Sequence, residues 1–282
     1  MRTFVKWAAR VVLSVAVLLV LVAVFLINRG GKIMATPVDV ELAALDIPAD
    51  SASIAHGEYL SRILACQECH QSGLEGALMV DAPPFRVVAT NLTRVAEDYS
   101  SEDWDRAIRY GMAADGRSLL IMPSDLFNNV SDSEIEDLIA YLQTLEPAGE
   151  ELPHTELKPL GKLIAGTGAP LAISHEIGKW GPRPEMPDFG PTAEFGKYRI
   201  KTICVACHGA DLEGTQPPDP ASPLGPSLAS VRGWDLEGFV TTLRTGVTPG
   251  GKELDPYYMP WRAFANMTDE EMEAVYKGIM EW

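Results

Sequence analysis

The chain has 282 residues, 46% of them hydrophobic, and its 39 acidic side chains outnumber 23 basic ones for a formal charge of −16. Such a composition excludes a disordered chain and suffices for one large domain or two small ones. The acidic excess argues against nucleic-acid binding, makes the soluble part repel anionic membrane surfaces, and either steers a basic partner toward it or is simply a solvated face that keeps the protein soluble.

The first predicted element is an apolar helix. Residues 11–27 are apolar apart from Ser14, with Arg2, Lys6 and Arg10 before them and Asn28, Arg29 and Gly30 after. These 17 residues reach the short end of a transmembrane span and exceed the h-region of a cleavable signal peptide. No small-x-small cleavage site follows directly, and no cysteine offers lipid attachment. Residues 1–32 therefore read as a retained single-pass anchor in the cytoplasmic (inner) membrane, with a removed signal as the alternative. Three basic residues before the run, against Arg29 and Lys32 after it, put the N-terminus inside and the rest on the periplasmic, extracytoplasmic side. Residues 33–49, with Pro37 and Pro48, read as a tether that lets the following domains stand off the bilayer.

All four cysteines fall in two strings, Cys66-Gln67-Glu68-Cys69-His70 and Cys204-Val205-Ala206-Cys207-His208. A histidine directly after each pair is the signature of covalent haem attachment. Two intervening residues let both sulfurs reach the vinyl groups on one porphyrin edge, and the histidine then comes under the iron. Zinc and dithiol redox sites also use paired cysteines, but a four-cysteine zinc ribbon leaves both histidines unexplained. Two haem c groups are expected, held by Cys66, Cys69 and His70 and by Cys204, Cys207 and His208.

The two halves repeat at an offset of 135 to 139 residues. Gly57-Glu58-Tyr59 matches Gly196-Lys197-Tyr198, and Leu74-Glu75-Gly76 matches Leu212-Glu213-Gly214. Trp104 and Arg109-Tyr110-Gly111 match Phe239 and Arg244-Thr245-Gly246. The iron needs a ligand opposite its histidine, most often methionine. Among ten methionines, Met122-Pro123 lies 52 residues after His70 and Met259-Pro260 lies 51 after His208. Phe127 and Phe264, Asn129 and Asn266, and Ser131 and Thr268 continue that register. The predicted metal ligands are His70, Met122, His208 and Met259. Met112 is matched by Val247 and Met267 by Val130, and a ligand is not replaced by valine. Met272 belongs to an apolar stripe, Met280 lies off it, and Met34, Met79 and Met186 have surface or packing roles.

Helices are predicted before each cysteine string, over residues 102–110 and 236–244, and at the end of each half, with no alternating strand. Ser131 with Glu134 and Thr268 with Glu271 read as capping boxes, with Val130 and Met267 stapled onto Ile135 and Met272. The helices that follow are apolar at Ile135, Leu138, Ile139 and Leu142, and at Met272, Val275, Tyr276 and Ile279. The fold class is all-α: the transmembrane helix, then one haem domain over residues 50–147, a Pro-rich linker over 148–191, and a second haem domain over 192–282. Pro147, Pro153, Pro159, Pro170, Pro182, Pro184, Pro187 and Pro191 exclude a long helix between the domains. Each domain is small, so a bound porphyrin supplies much of its apolar contact and the apo chain folds poorly. His56, His154 and His175 have no repeat partner and are not expected to bind iron. Arg109 and Arg244 recur, either beside haem propionates or as solvated helix arginines.

This pattern resembles class I c-type cytochromes, twice over, across nearly all of the chain outside the anchor and linker. The resemblance implies an all-α fold per domain, covalent haem c, His/Met ligation and one-electron transfer. Gly225-Pro226-Ser227-Leu228 is similar to the family's proximal loop, in which the proline carbonyl holds the histidine ring and the leucine packs on the haem. The first domain has Ala89-Thr90-Asn91-Leu92 there, so only Leu92 is matched and what orients His70 is left open. That stretch, with Trp104 soon after, resembles the multihaem cytochrome subunits of periplasmic alcohol and sugar dehydrogenases, which normally carry three haems. An anchor followed by two haem domains also resembles the dihaem subunit of cbb3-type oxidases.

Thioether ligation raises the reduction potential above that of a bis-histidine site. The function expected is electron transfer in a respiratory chain or dehydrogenase complex, and not an enzyme activity of this chain alone. Electrons enter from a dehydrogenase, quinol-oxidising complex or soluble donor and leave to an oxidase or mobile cytochrome. A dihaem cytochrome c peroxidase needs an open or displaceable iron position, which two matched methionines oppose. A sulfur-oxidising enzyme with a cysteine ligand has no cysteine left. A haem-containing sensor or structural subunit is the remaining alternative.

Overall fold

The computed structural model describes residues 2–42, 44–169, 174, 183–217 and 222–282. Helix α1 (Arg2–Ala35) opens the chain, and most of its side chains are exposed, with a covered face near its C-terminal end. The first half then contains α2 (Ser51–Ile63), α3 (Cys66–His70), β1 (Ala77–Asp81), β2 (Phe85–Ala89), α4 (Leu92–Val95), α5 (Ser101–Tyr110), α6 (Ser124–Phe127) and α7 (Asp132–Leu142). Between the halves lie β3 (Glu156–Leu157) and α8 (Pro159–Gly166). The second half contains α9 (Ala193–Ile203), α10 (Val205–His208), a 3₁₀ turn (Leu228–Gly233), α11 (Leu236–Thr245), α12 (Trp261–Phe264) and α13 (Asp269–Met280).

In each half the first and last helices cross at a glycine. A Cβ at Gly57 would run into the carbonyl of Asp137, and one at Gly196 into that of Ala274. The crossings set α2 against α7 and α9 against α13. The apolar stripes of α7 and α13 point inward: Ile135, Leu138, Ile139, Met272, Val275 and Ile279 are each at most 3% exposed. Val130 and Met267 are buried with them in one core that runs through both halves.

The sequence predicts no strand, and the structure contains a three-stranded antiparallel sheet in the order β1-β2-β3. Ala77 lies opposite Ala89, Asp81 opposite Arg86, and Phe85 opposite Leu157. Neither long strand alternates. Leu78, Met79 and Val80 are all exposed, Val87, Val88 and Ala89 are all buried, and the register shifts between Leu78 and Val80. Period-two reading has nothing to detect in such a pair.

Residues 33–49 do not hold the first half away from α1. Ser118 N donates to the Met34 carbonyl (3.1 Å), Val38 N to Met112 Sδ (3.4 Å), Tyr110 Oη to the Glu41 carbonyl (3.2 Å) and Asp46 N to Glu136 (2.9 Å). The stretch is thus hydrogen-bonded along the first half. In the Pro-rich segment, Pro159 occupies the first turn of α8, where its missing N–H costs nothing.

Candidate haem sites

The cysteine strings sit at matched places, in α3 after α2, and across the junction of α9 and α10, with Cys204 between the two helices. His70 Nδ1 lies 2.7 Å from the carbonyl of Thr90, and His208 Nδ1 lies 2.7 Å from the carbonyl of Pro226. A carbonyl only accepts, so Nδ1 carries the proton and Nε2 keeps its lone pair. Thr90 therefore orients His70 as Pro226 orients His208, because the backbone oxygen and not the proline ring makes the bond. Burial holds both imidazoles below the ordinary histidine range, and the carbonyl bond only partly opposes it. Both stay neutral at pH 7, as iron ligation requires.

The repeated Leu-Glu-Gly tripeptides build this geometry. Leu74 and Leu212 are buried with φ of 59° and 61°, conformations that cost a side-chain-bearing residue energy. The strain turns the chain so that Gly76 N donates to the His70 carbonyl (2.8 Å) and Gly214 N to the His208 carbonyl (2.7 Å). Leu92 N then pairs with the Leu74 carbonyl (2.8 Å) and Leu228 N with the Leu212 carbonyl (2.9 Å). A Cβ at Gly76 would strike the Ala89 carbonyl, and one at Gly214 the Gly225 carbonyl.

A cavity of about 270 Å³ opens beside His70, lined by Cys66, Leu92, Trp104, Met122 and Phe127 among others. His70 and Met122 therefore face one space. Met122 and Met259 are partly buried against the core, and the prolines after them take the same conformation, φ −80° and −74° with ψ 58° and 55°, at the start of α6 and α12. Met112 and Val247 occupy equivalent bridges, to Ser118 and Glu253, and Met267 and Met272 are core. Burial pushes the Cys66 and Cys204 thiols up to about 12, helped by the neighbouring cysteine of each pair. Burial raises Cys69 and Cys207 as well.

These residues fit a haem. The first cavity is mainly apolar, with two thiols and a lone-pair-bearing imidazole on its wall. Trp104 lines it with an indole N–H buried without a partner, the kind of donor a carboxylate-bearing group satisfies. Asp115, Arg117 and His154 also line it, with Arg117 Nη2 3.4 Å from His154 Nδ1. A zinc cage fits poorly, since no three His, Cys, Asp or Glu side chains converge among the described residues.

Three side-chain readings differ from the sequence. Arg109 is not solvated: it is fully buried between Asp105 (2.5 Å) and Asp132, and its Nη2 is left without a hydrogen-bond partner. Arg244 pairs with Asp269 (2.6 Å) and the Ala265 carbonyl. In both halves this arginine ties α5 or α11 to the first residue of α7 or α13. The capping boxes at Ser131 and Thr268 are half-formed. Each hydroxyl accepts from the N–H of Glu134 or Glu271, while those carboxylates turn instead to Arg199, Tyr198 and Tyr59. The complete box is at Ser100 and Asp103. His56 bonds Asp137 (2.7 Å) between α2 and α7, and His175 lies outside the described residues. Sequence reading missed Trp104, Arg117 and Thr90; the repeat pairing of Trp104 with Phe239 was a signal for the first.

The family model for cytochrome c matches residues 54–146 and again 193–280. The fructose dehydrogenase cytochrome subunit of Gluconobacter japonicus is 24% identical over 82% of this chain and 52% of its own length. The gluconate 2-dehydrogenase cytochrome c subunit of Pantoea cypripedii is 29% identical over 59% of this chain and 40% of its own. The cytochrome c subunit of alcohol dehydrogenase (quinone) from Gluconobacter oxydans is 32% identical over 70% and 48%. The chain thus spans about half the length, or less, of these relatives. With a Cys-x-x-Cys-His string, a carbonyl-held histidine and a family match in each half, the chain belongs to the cytochrome c family, whose domains carry covalently bound haem c.

Proposed function

We propose that the protein is a two-haem electron relay, anchored by α1 in the cytoplasmic membrane, that accepts electrons from a dehydrogenase on the outer face. Cys66 and Cys69 would hold one haem with His70 and Met122 as iron ligands, and Cys204 and Cys207 the other with His208 and Met259. The haem-binding units are residues 50–147 and 192–282, joined by 148–191. The observation that carries the reading is the pair of histidines, each with Nδ1 fixed by a backbone carbonyl and Nε2 left to ligate. Bound haem supplies the one-electron couple. The chain's own residues fix the proximal ring, exclude water with the apolar cavity wall, and offer a thioether that favours the ferrous state.

The dehydrogenase partner rests on the names of the relatives, each a cytochrome subunit of such an enzyme. The anchor rests on α1, the one helix among the described residues long and apolar enough to cross a membrane, and its outward orientation on the basic residues before the apolar run. Detergent-purified protein tests the proposal by pyridine haemochrome quantitation and a redox titration. Two haems per chain and two one-electron steps are expected, with no hydrogen peroxide turnover. One haem per chain, or catalytic peroxide reduction, would overturn it.

A further inference from the structure

The outer end of α1 and helix α8 form a contact that the haem sites do not use. On α1, Ala23, Leu26, Ile27 and Gly30 lie on one face at helical spacing, and all are partly or fully covered. A Cβ at Gly30 would run into the Lys162 carbonyl, and one at Gly166 into the Leu26 carbonyl. Small residues thus let the two backbones touch, as they do between helices in lipid. The pairing of Lys162 with Gly30 and Gly166 with Leu26 makes the helices antiparallel.

That direction sets the depth of α8. Leu26 and Ile27 close the uncharged apolar run of α1, so the last turn of α8 is level with the end of that run. Its earlier residue Lys162 lies about 6 Å further out, at Gly30. Leu160 (46% exposed) and Ile164 (39%) are four residues apart and share an open face, while Gly161 and Ala165 are buried. Neither helix contains an acidic residue; Arg29, Lys158 and Lys162 lie at the contact and Lys32 is exposed on the outer turns of α1, in a chain of net charge −16. Lys158 pairs with Asp81. Arg29 Nη1 donates to the Gly166 carbonyl (2.6 Å), satisfying an acceptor at the C-terminal end of α8, where lipid offers no donor.

We propose that α8 lies in the outer boundary of the lipid bilayer, with Leu160 and Ile164 at the edge of the acyl region and Lys32 and Lys162 among headgroup phosphates. The apolar surface is continuous with that of α1, and the local charge complements anionic lipid, which selects lipid over a protein partner. The inference rests on reading α1 as a membrane span. Its consequence is a second membrane contact that clamps the first haem domain to the surface, through the α8–β3–β2 connection, in one orientation.

The test uses the full-length holoprotein, whose native cysteines are committed to thioether bonds. Single Ile164→Cys and Leu160→Cys variants carry an environment-sensitive fluorophore in vesicles of phosphatidylcholine and phosphatidylglycerol, with a nitroxide near the headgroup end of the acyl chain. Val20→Cys reports the span, and Leu224→Cys, 67% exposed in the second half, reports non-specific dye adsorption. Loss of emission at 160 and 164 but not at 224 supports the proposal. Quenching at 20 without quenching at 160 and 164 overturns it while leaving the anchor intact, the result expected if a protein subunit covers α8. Quenching at none of these positions overturns both the anchor and the clamp. Equal quenching at 164 and 224 also counts against it.

Discussion

His70 and His208 reach the same hydrogen bond through unlike residues, and this decides which substitutions matter. The acceptor is a backbone oxygen in both cases, so Pro226→Ala should leave the second haem's potential close to wild type. Met122→Ala and Met259→Ala should each lower one of the two potentials by on the order of 0.1–0.3 V, a fraction of the range that axial ligation spans, and spare the other. A spectroelectrochemical titration separates the cases, and a silent methionine variant would remove that residue from the ligand set.

The helices were legible because their apolar faces recur at helical spacing and their starts carry oxygen-bearing caps. Ser131 and Thr268 do accept from the third residue of α7 and α13, and Ser131→Ala or Thr268→Ala should each cost about 1 kcal/mol in denaturant unfolding. The ligand candidates were legible for a different reason: duplication holds Met122 and Met259 in register while Met112 and Met267 drift to valine. What stayed hidden depends on contacts far along the chain. The carboxylates of Glu134 and Glu271 match a local motif, yet they are drawn to a buried guanidinium on α9. Strand β1 is exposed over residues 78–81 and β2 buried over residues 87–89, with no residue-by-residue switch of side, so alternation cannot reveal them. Helix α8 is too short and too apolar on every side to show a face until α1 covers one of them.

Between the halves, equivalent residues cross over. Tyr59 of α2 donates to Glu271 and accepts from Thr268 N (3.3 Å), while Tyr198 of α9 donates to Glu134 (2.5 Å) and accepts from Ser131 N (2.9 Å). Burial, then the facing carboxylate, raises both phenols, so they stay protonated donors. Arg199 breaks the symmetry. It binds Glu271 (2.5 Å) and Glu134 (2.6 Å) with all three side chains about 1% exposed, and the repeat places Leu60 where a second arginine would stand. Burial opposes its charge, but the two carboxylates outweigh that and raise its pKa. Arg199→Leu would leave two carboxylates buried, facing each other with no counter-charge, a loss of about 3–5 kcal/mol at neutral pH. Adding Glu134→Gln and Glu271→Gln should recover part of it, because amide oxygens still accept from Tyr198 and Tyr59. Urea midpoints of the holoprotein measure this. An Arg199→Leu loss that is equally large with and without Glu134→Gln and Glu271→Gln would mean that lost packing, and not unpaired charge, separates the variant from wild type.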